Sequence, residues 1–93
     1  MYELIVTRRF KRDTDRAISQ GLDVNKLRTV IDLLRTGDPL PPKYRDHSLI
    51  GDKKVLRNCH IAPYWVLLYI RRENELVLVL QRTGTHRDVL GIE

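Results

Sequence analysis

Cysteine occurs once in these 93 residues, at Cys59. That excludes an intramolecular disulfide framework and any paired-cysteine zinc site. Long apolar runs are missing as well. Trp65–Ile70 and Leu76–Leu80 are the conspicuous ones, far short of the ~20 residues that span a bilayer. The first residues carry no long apolar segment of the secretory type. The expectation is a soluble protein, made and kept in the cytoplasm, with no membrane partner. Of the five glycines none sits in a phosphate-loop pattern: Gly84 lies in Thr-Gly-Thr, without the spacing or the lysine of such a loop. There is no internal repeat and no low-complexity tract beyond a proline cluster at Pro39, Pro41 and Pro42.

What is present fits one domain spanning 1–93. Hydrophobic residues make up 42% of the chain, enough for a modest core and against disorder. A domain this small without staples is marginally stable, so a bound partner can add much of its stability. Seventeen Lys+Arg against twelve Asp+Glu give a formal net charge of +5, which favours a polyanionic partner such as RNA, DNA or an acidic protein.

Tyr2 to Arg8 reads as a first strand at a sheet edge. Phe10, Thr14, Ala17 and Ile18 lie near helical spacing, and Gly21 supplies a stop. Asp23 is a good N-cap for a second helix, in which Val24, Leu27, Val30, Ile31 and Leu34 form an apolar stripe and Gly37 occupies the position after the C-cap. The two helices are expected to pack as a hairpin. Gly37 to Asp52 is a long loop, of the kind that often has a function when ordered. Lys53–Ile61, Trp65–Arg71 and Glu75–Arg82 read as three further strands, turning at Pro63 and at Glu73-Asn74. A short turn or helix follows from His86. The order is β-α-α-β-β-β: an α+β fold with an antiparallel sheet on a two-helix hairpin.

Alternation places His60 on one face of its strand with Lys54, Leu56 and Asn58, and Cys59 on the other with Val55 and Arg57. A Cys–His nucleophile pair is therefore not expected. In the last strand Arg82 falls in register with Leu76, Leu78 and Leu80, at the polar end of a core-facing row. Cleaving RNA without a metal needs a base for the 2′-hydroxyl, an acid for the departing 5′-oxygen, and cations for the charge gathering on phosphorus. Imidazole serves as acid or base near neutrality, and arginine matches phosphate oxygens with a fork of donors. His47, His60, His86 and Arg82 meet that inventory. Tyr64 and Trp65 could stack on bases, although Trp65, opening an apolar strand, also reads as a core or rim residue. No histidine pair has the close spacing typical of metal ligands, so neither metal nor cofactor is expected.

Pro41-Pro-Lys-Tyr-Arg-Asp-His-Ser-Leu49, Gly51, Arg57-Asn-Cys-His-Ile-Ala-Pro-Tyr-Trp65, Leu68-Tyr69 and Arg82-Thr-Gly-Thr-His86 resemble the YafQ-type branch of the RelE/ParE toxin superfamily. The resemblance runs from about Leu27 to Leu90, in several motifs in the same order. It implies a RelE-like, microbial-RNase-like fold and a type II toxin that cleaves mRNA on the ribosome without a metal. It also implies a cognate antitoxin, in a hetero-oligomeric complex. By that analogy His86 is the general acid, Arg82 the phosphate clamp, and His47 and His60 the base or the groups that orient the phosphate. The substrate side is expected to include Tyr64, Trp65, Lys53, Lys54, Arg57 and Leu90. This chain departs from the family at Tyr64, where an aspartate is usual, and at Leu90, where an aromatic residue is usual. Those departures motivate an alternative: a protein that inhibits translation by occupying the ribosome or another target without cutting. A topoisomerase-directed toxin like the ParE branch would not need the histidine set.

Overall fold

The computed structural model describes residues 1–49 and 56–90, except the side chain of Leu90. Its elements are β1 (Glu3–Val6), α1 (Arg8–Ser19), α2 (Val24–Arg35), a 3-10 turn (Pro42–Tyr44), β2 (His47–Ser48), β3 (Arg57–Ala62), β4 (Trp65–Arg72), β5 (Val77–Gly84) and α3 (His86–Leu90). The strands form a sheet in the order β1-β5-β4-β3-β2. None of the described helices is long and apolar enough to cross a membrane.

Local chemistry sets the helix ends. Thr7 caps α1 by accepting from the Phe10 amide at 3.0 Å, and its hydroxyl also donates to the Gln81 carbonyl at 2.8 Å. One side chain thus starts the helix and fastens it to β5. Asp23 caps α2 through the Asn25 amide at 2.9 Å, removing an orphan donor from its first turn. Gly37 follows the C-cap at φ +87°, and a Cβ there would come 3.0 Å from the ring of Tyr2. Both the backbone angle and the space favour glycine.

Phe10 and Ala17 of α1 and Leu27, Val30 and Leu34 of α2 join one core with Cys59, Ile61, Trp65, Leu67, Tyr69, Leu78 and Leu80. The odd-numbered residues of β4 therefore face the helices. Val66 and Leu68 are buried too but fall on the opposite face, where α3 packs against β4 and β5. This accounts for the unbroken apolar run of β4: both of its faces are covered.

Three features differ from the sequence reading. First, β1 pairs with β5 in parallel, whereas the other three pairings are antiparallel. Hairpin turns fix the direction of β3, β4 and β5, but β1 reaches β5 from the far end of the chain and no short turn constrains it. Second, the proline-rich loop contributes the two-residue strand β2 at the opposite edge. Third, the β4–β5 register shifts, pairing Tyr69 with Leu80 but Leu68 with Arg82. Gln81 is the extra residue of a β-bulge, and a bulge reverses the alternation beyond it. Arg82 therefore leaves the row of Leu78 and Leu80 and stands opposite Leu68, on the face away from the helix hairpin. Leu76, also expected in that row, lies in the turn at φ 54°.

Candidate active site

The register brings His47, His60 and Arg82 onto one face. His47 pairs with Asn58, Asn58 with Leu68, and Leu68 with Arg82, a row across four strands from β2 to β5. His60 pairs with Val66, and Val66 with Gly84, in the next same-face row. His86, the first residue of α3, has its ring centroid 4.9 Å from that of His60, with the planes at 53°. Three strand spacings of ~4.8 Å place His47 and Arg82 roughly 14 Å apart along the row, with the His60–His86 pair beside it.

Each group has a definite electrostatic setting. Nδ1 of His47 lies 2.9 Å from the Arg45 carbonyl. A carbonyl only accepts, so Nδ1 carries the proton, and in the neutral ring Nε2 keeps its lone pair. The Arg45 backbone is left-handed, at φ 49° and ψ 44°, and this turns its carbonyl to that task. The pKa of His60 is lowered, first by desolvation and then by the charges of His86, Arg45 and His47. His60 is thus held neutral near pH 7, and its contact with His86 disfavours charging both rings together.

Arg82 is built in from two sides. Its Nε and Nη2 donate to the two carboxylate oxygens of Asp13 at 3.0 Å each, and its Nη1 donates to the Asp88 carbonyl at 3.2 Å. Asp13 also accepts from the Thr83 amide at 3.2 Å. The guanidinium pKa is raised, mainly by the hydrogen bond to Asp13. Five N–H groups less these three bonds leave two uncommitted among the described residues, enough to grip a phosphate oxygen.

Asp46 does similar work for β2. It accepts from Arg57 Nε at 3.3 Å and Nη2 at 3.1 Å, and from the Tyr69 hydroxyl. The loop that ends in His47 is thereby pinned to β3 and β4. Sequence reasoning singled out neither Asp13 nor Asp46 as a partner. The available signal was a carboxylate within an apolar helical stripe, at Asp13 between Phe10 and Ala17, and a carboxylate adjoining a candidate histidine at Asp46.

The expected substrate-contacting residues divide. Tyr64 is 85% exposed, in the β3–β4 turn, and lines a shallow depression with His86. Trp65 does not reach the open face. It is buried, and its indole N–H donates to the Thr83 hydroxyl at 2.8 Å, so its ring is core and unavailable for stacking. Strand parity decides this, since Trp65 alternates with Val66 toward the helix hairpin. Arg57 is likewise on the face away from His60 and committed to Asp46, with its pKa raised chiefly by that hydrogen bond. Lys53, Lys54 and the Leu90 side chain lie outside the described residues. Cys59 is fully buried opposite His60, and desolvation pushes its thiol up to about 12, so it is inert at neutral pH. Among the described residues no group of three or more His, Cys, Asp or Glu side chains is placed to hold a metal ion. Asn58, in the middle of the His47–Arg82 row, is buried with neither amide atom hydrogen-bonded among the described residues.

The chain is similar to known proteins over nearly its whole length. It is 36% identical over 83 residues, 88% of each chain, to the mRNA interferase toxin YafQ of Escherichia coli. YafQ in the Escherichia coli DinJ–YafQ toxin–antitoxin complex superposes with a TM-score of 0.88 at 33% identity, covering 97% of this chain and 98% of that one. A copper-bound mutant toxin from Helicobacter pylori gives a TM-score of 0.90 at 36% identity, over 96% of this chain and 99% of that one. Residues 2–91 match the family described as the bacterial toxin of the type II toxin–antitoxin system, YafQ, and the chain belongs to that family.

Proposed function

We propose that this chain is an mRNA interferase, a single-domain endoribonuclease toxin that acts in the cytoplasm on mRNA engaged by the ribosome. What carries the reading is the placement of His47, His60, His86 and Arg82 on one face of the sheet. In the proposed reaction His47 Nε2, freed by the Nδ1–H bond to Arg45, takes the proton of the 2′-hydroxyl. The 2′-oxygen attacks phosphorus, and the bond to the 5′-oxygen breaks. His86 gives its proton to the departing oxygen. The products are a 2′,3′-cyclic phosphate and a 5′-hydroxyl. Arg82 stabilises the extra negative charge of the transition state. His60, kept neutral beside His86, orients the phosphate. No step uses a metal ion.

The partner proposed to silence it is a cognate antitoxin, in a hetero-oligomeric complex of the kind that DinJ and YafQ form. Net charge +5 favours an acidic docking segment. The test is end-group analysis of mRNA on programmed ribosomes: fragments bearing a 5′-hydroxyl and a cyclic phosphate support the reading, and intact mRNA during translation arrest contradicts it. The exposure of Tyr64 beside His86, where the family usually has a carboxylate, favours one second reading, a toxin that occupies its target without cutting. Arrest that survives substitution of all three histidines would identify it.

A further inference from the structure

A cavity of about 510 Å³ adjoins the histidine cluster, between the first half of α2, the 3-10 turn and the end of β3. Lys26, Lys43 and Arg45 line it, no acidic residue does among those described, and His60 forms part of its wall. The three cations are exposed, and among the described residues the ion pairs are Arg57–Asp46 and Arg82–Asp13, which leave all three unpaired. Lys43 Nζ sits 5.1 Å from the centroid of the Tyr44 ring, which also lines the cavity. Arg45 is fixed at the junction: its amide donates to the Pro42 carbonyl at 3.0 Å while its own carbonyl holds His47. The volume suits a small-molecule or nucleotide ligand, and unpaired cations around an aromatic ring suit single-stranded nucleic acid.

We propose that this cavity is a second RNA subsite, which takes a nucleotide flanking the cleaved bond, its phosphate among Lys26, Lys43 and Arg45 and its base against Tyr44. The inference rests on the ribonuclease reading. A strand whose reactive phosphate lies at His60 and His86 must continue over the neighbouring surface, and on the His60 side that surface is the cavity. Binding there orients the strand without taking part in the chemistry, so it acts on substrate affinity and not on turnover.

The test pairs the Lys26→Gln/Lys43→Gln variant with an Arg28→Gln/Arg72→Gln control, which loses the same charge at exposed positions outside both cavity and histidine cluster. The probe is a single-stranded 2′-O-methylated oligonucleotide, which has no attacking hydroxyl, followed by fluorescence anisotropy across a salt series. The cavity variant is expected to bind about tenfold more weakly, with a log–log salt slope shallower by about 1.4, two contacts at ~0.7 each. In mRNA cleavage its KM should rise and its kcat hold. A cavity variant that matches wild type while wild type cleaves would overturn the subsite alone, as would an equal loss in the control. A lysine-dependent slope in a wild type that cleaves nothing would retain the subsite and sink the ribonuclease reading. Loss of affinity for polyglutamate but not for the oligonucleotide would reassign the cavity to a protein partner and overturn the proposal.

Discussion

Arg82 and Asp13 are 69 positions apart in sequence and meet in a two-point ion pair, with both N–O distances at 3.0 Å. The pair sits where β1 has ended and α1 covers the end of β5, and the carboxylate is 6% exposed. It fixes the arginine of the His47–Arg82 row and, through the Thr83 amide, the backbone beside it.

Asp13 is accordingly a positioning residue. Asp13→Asn keeps the shape and removes the charge that holds Arg82. Cleavage should fall ~10- to 100-fold, chiefly in kcat, because a loose guanidinium loses transition-state stabilisation before ground-state attraction. Stability should fall by about 2 kcal/mol. Single-turnover kinetics and urea unfolding separate the two effects. An unchanged kcat in a folded variant would show that the clamp does not depend on its partner.

The Asp46 network anchors the strand that carries His47. Tyr69→Phe removes one donor to Asp46 and, of the buried side chain, only the hydroxyl oxygen. A loss of about 1–2 kcal/mol is expected, with protection against hydrogen exchange reduced around His47–Ser48. Full stability with normal protection there would mean that the Arg57–Asp46 contact alone suffices.

The sign of the pH effect at His60 is fixed by its lowered pKa. The unfolded chain binds a proton near pH 6.5, whereas the folded chain resists until a lower pH. The stabilising contribution is complete above about 6.5 and declines as the pH falls through that value toward the folded pKa. The urea midpoint of the wild type should therefore drop from about pH 7.5 to about pH 5 more steeply than that of His60→Gln. Parallel curves for the two proteins would contradict the assignment.

Trp65 should behave as a core residue and not as a stacking platform. Trp65→Phe removes the indole N–H from Thr83 and some volume, at a cost of about 1–2 kcal/mol. KM for mRNA should hold once folding is accounted for, and a large rise in KM at full stability would place the ring at the substrate after all.

Much of this was legible because periodicity reports burial. The stripe of Leu27, Val30 and Leu34, the cap at Asp23 and Gly37 at φ +87° announced α2 with nearly correct ends. Alternation also separated His60 from Cys59 correctly. It failed at Arg82, because one extra residue at Gln81 reverses every assignment beyond it and no sequence pattern marks the bulge. The clamps at Asp13 and Asp46 stayed hidden for a different reason: their partners are fixed by tertiary register, for Asp13 beside the parallel β1–β5 pairing that no turn foretells and for Asp46 through the pairing of β2 with β3 after a long loop. The four candidate catalytic residues were singled out because motif resemblance and residue chemistry agreed. Their convergence on one face could be read only from strand register.

Primer extension on mRNA bound to programmed ribosomes, wild type beside His86→Ala, tests the central claim most directly. The account predicts new 5′ ends with the wild type, only when ribosomes are present, and a loss of at least ~100-fold when the acid is removed. Cleavage that His86→Ala leaves unchanged, or arrest without any new 5′ end from a folded wild type, would contradict it.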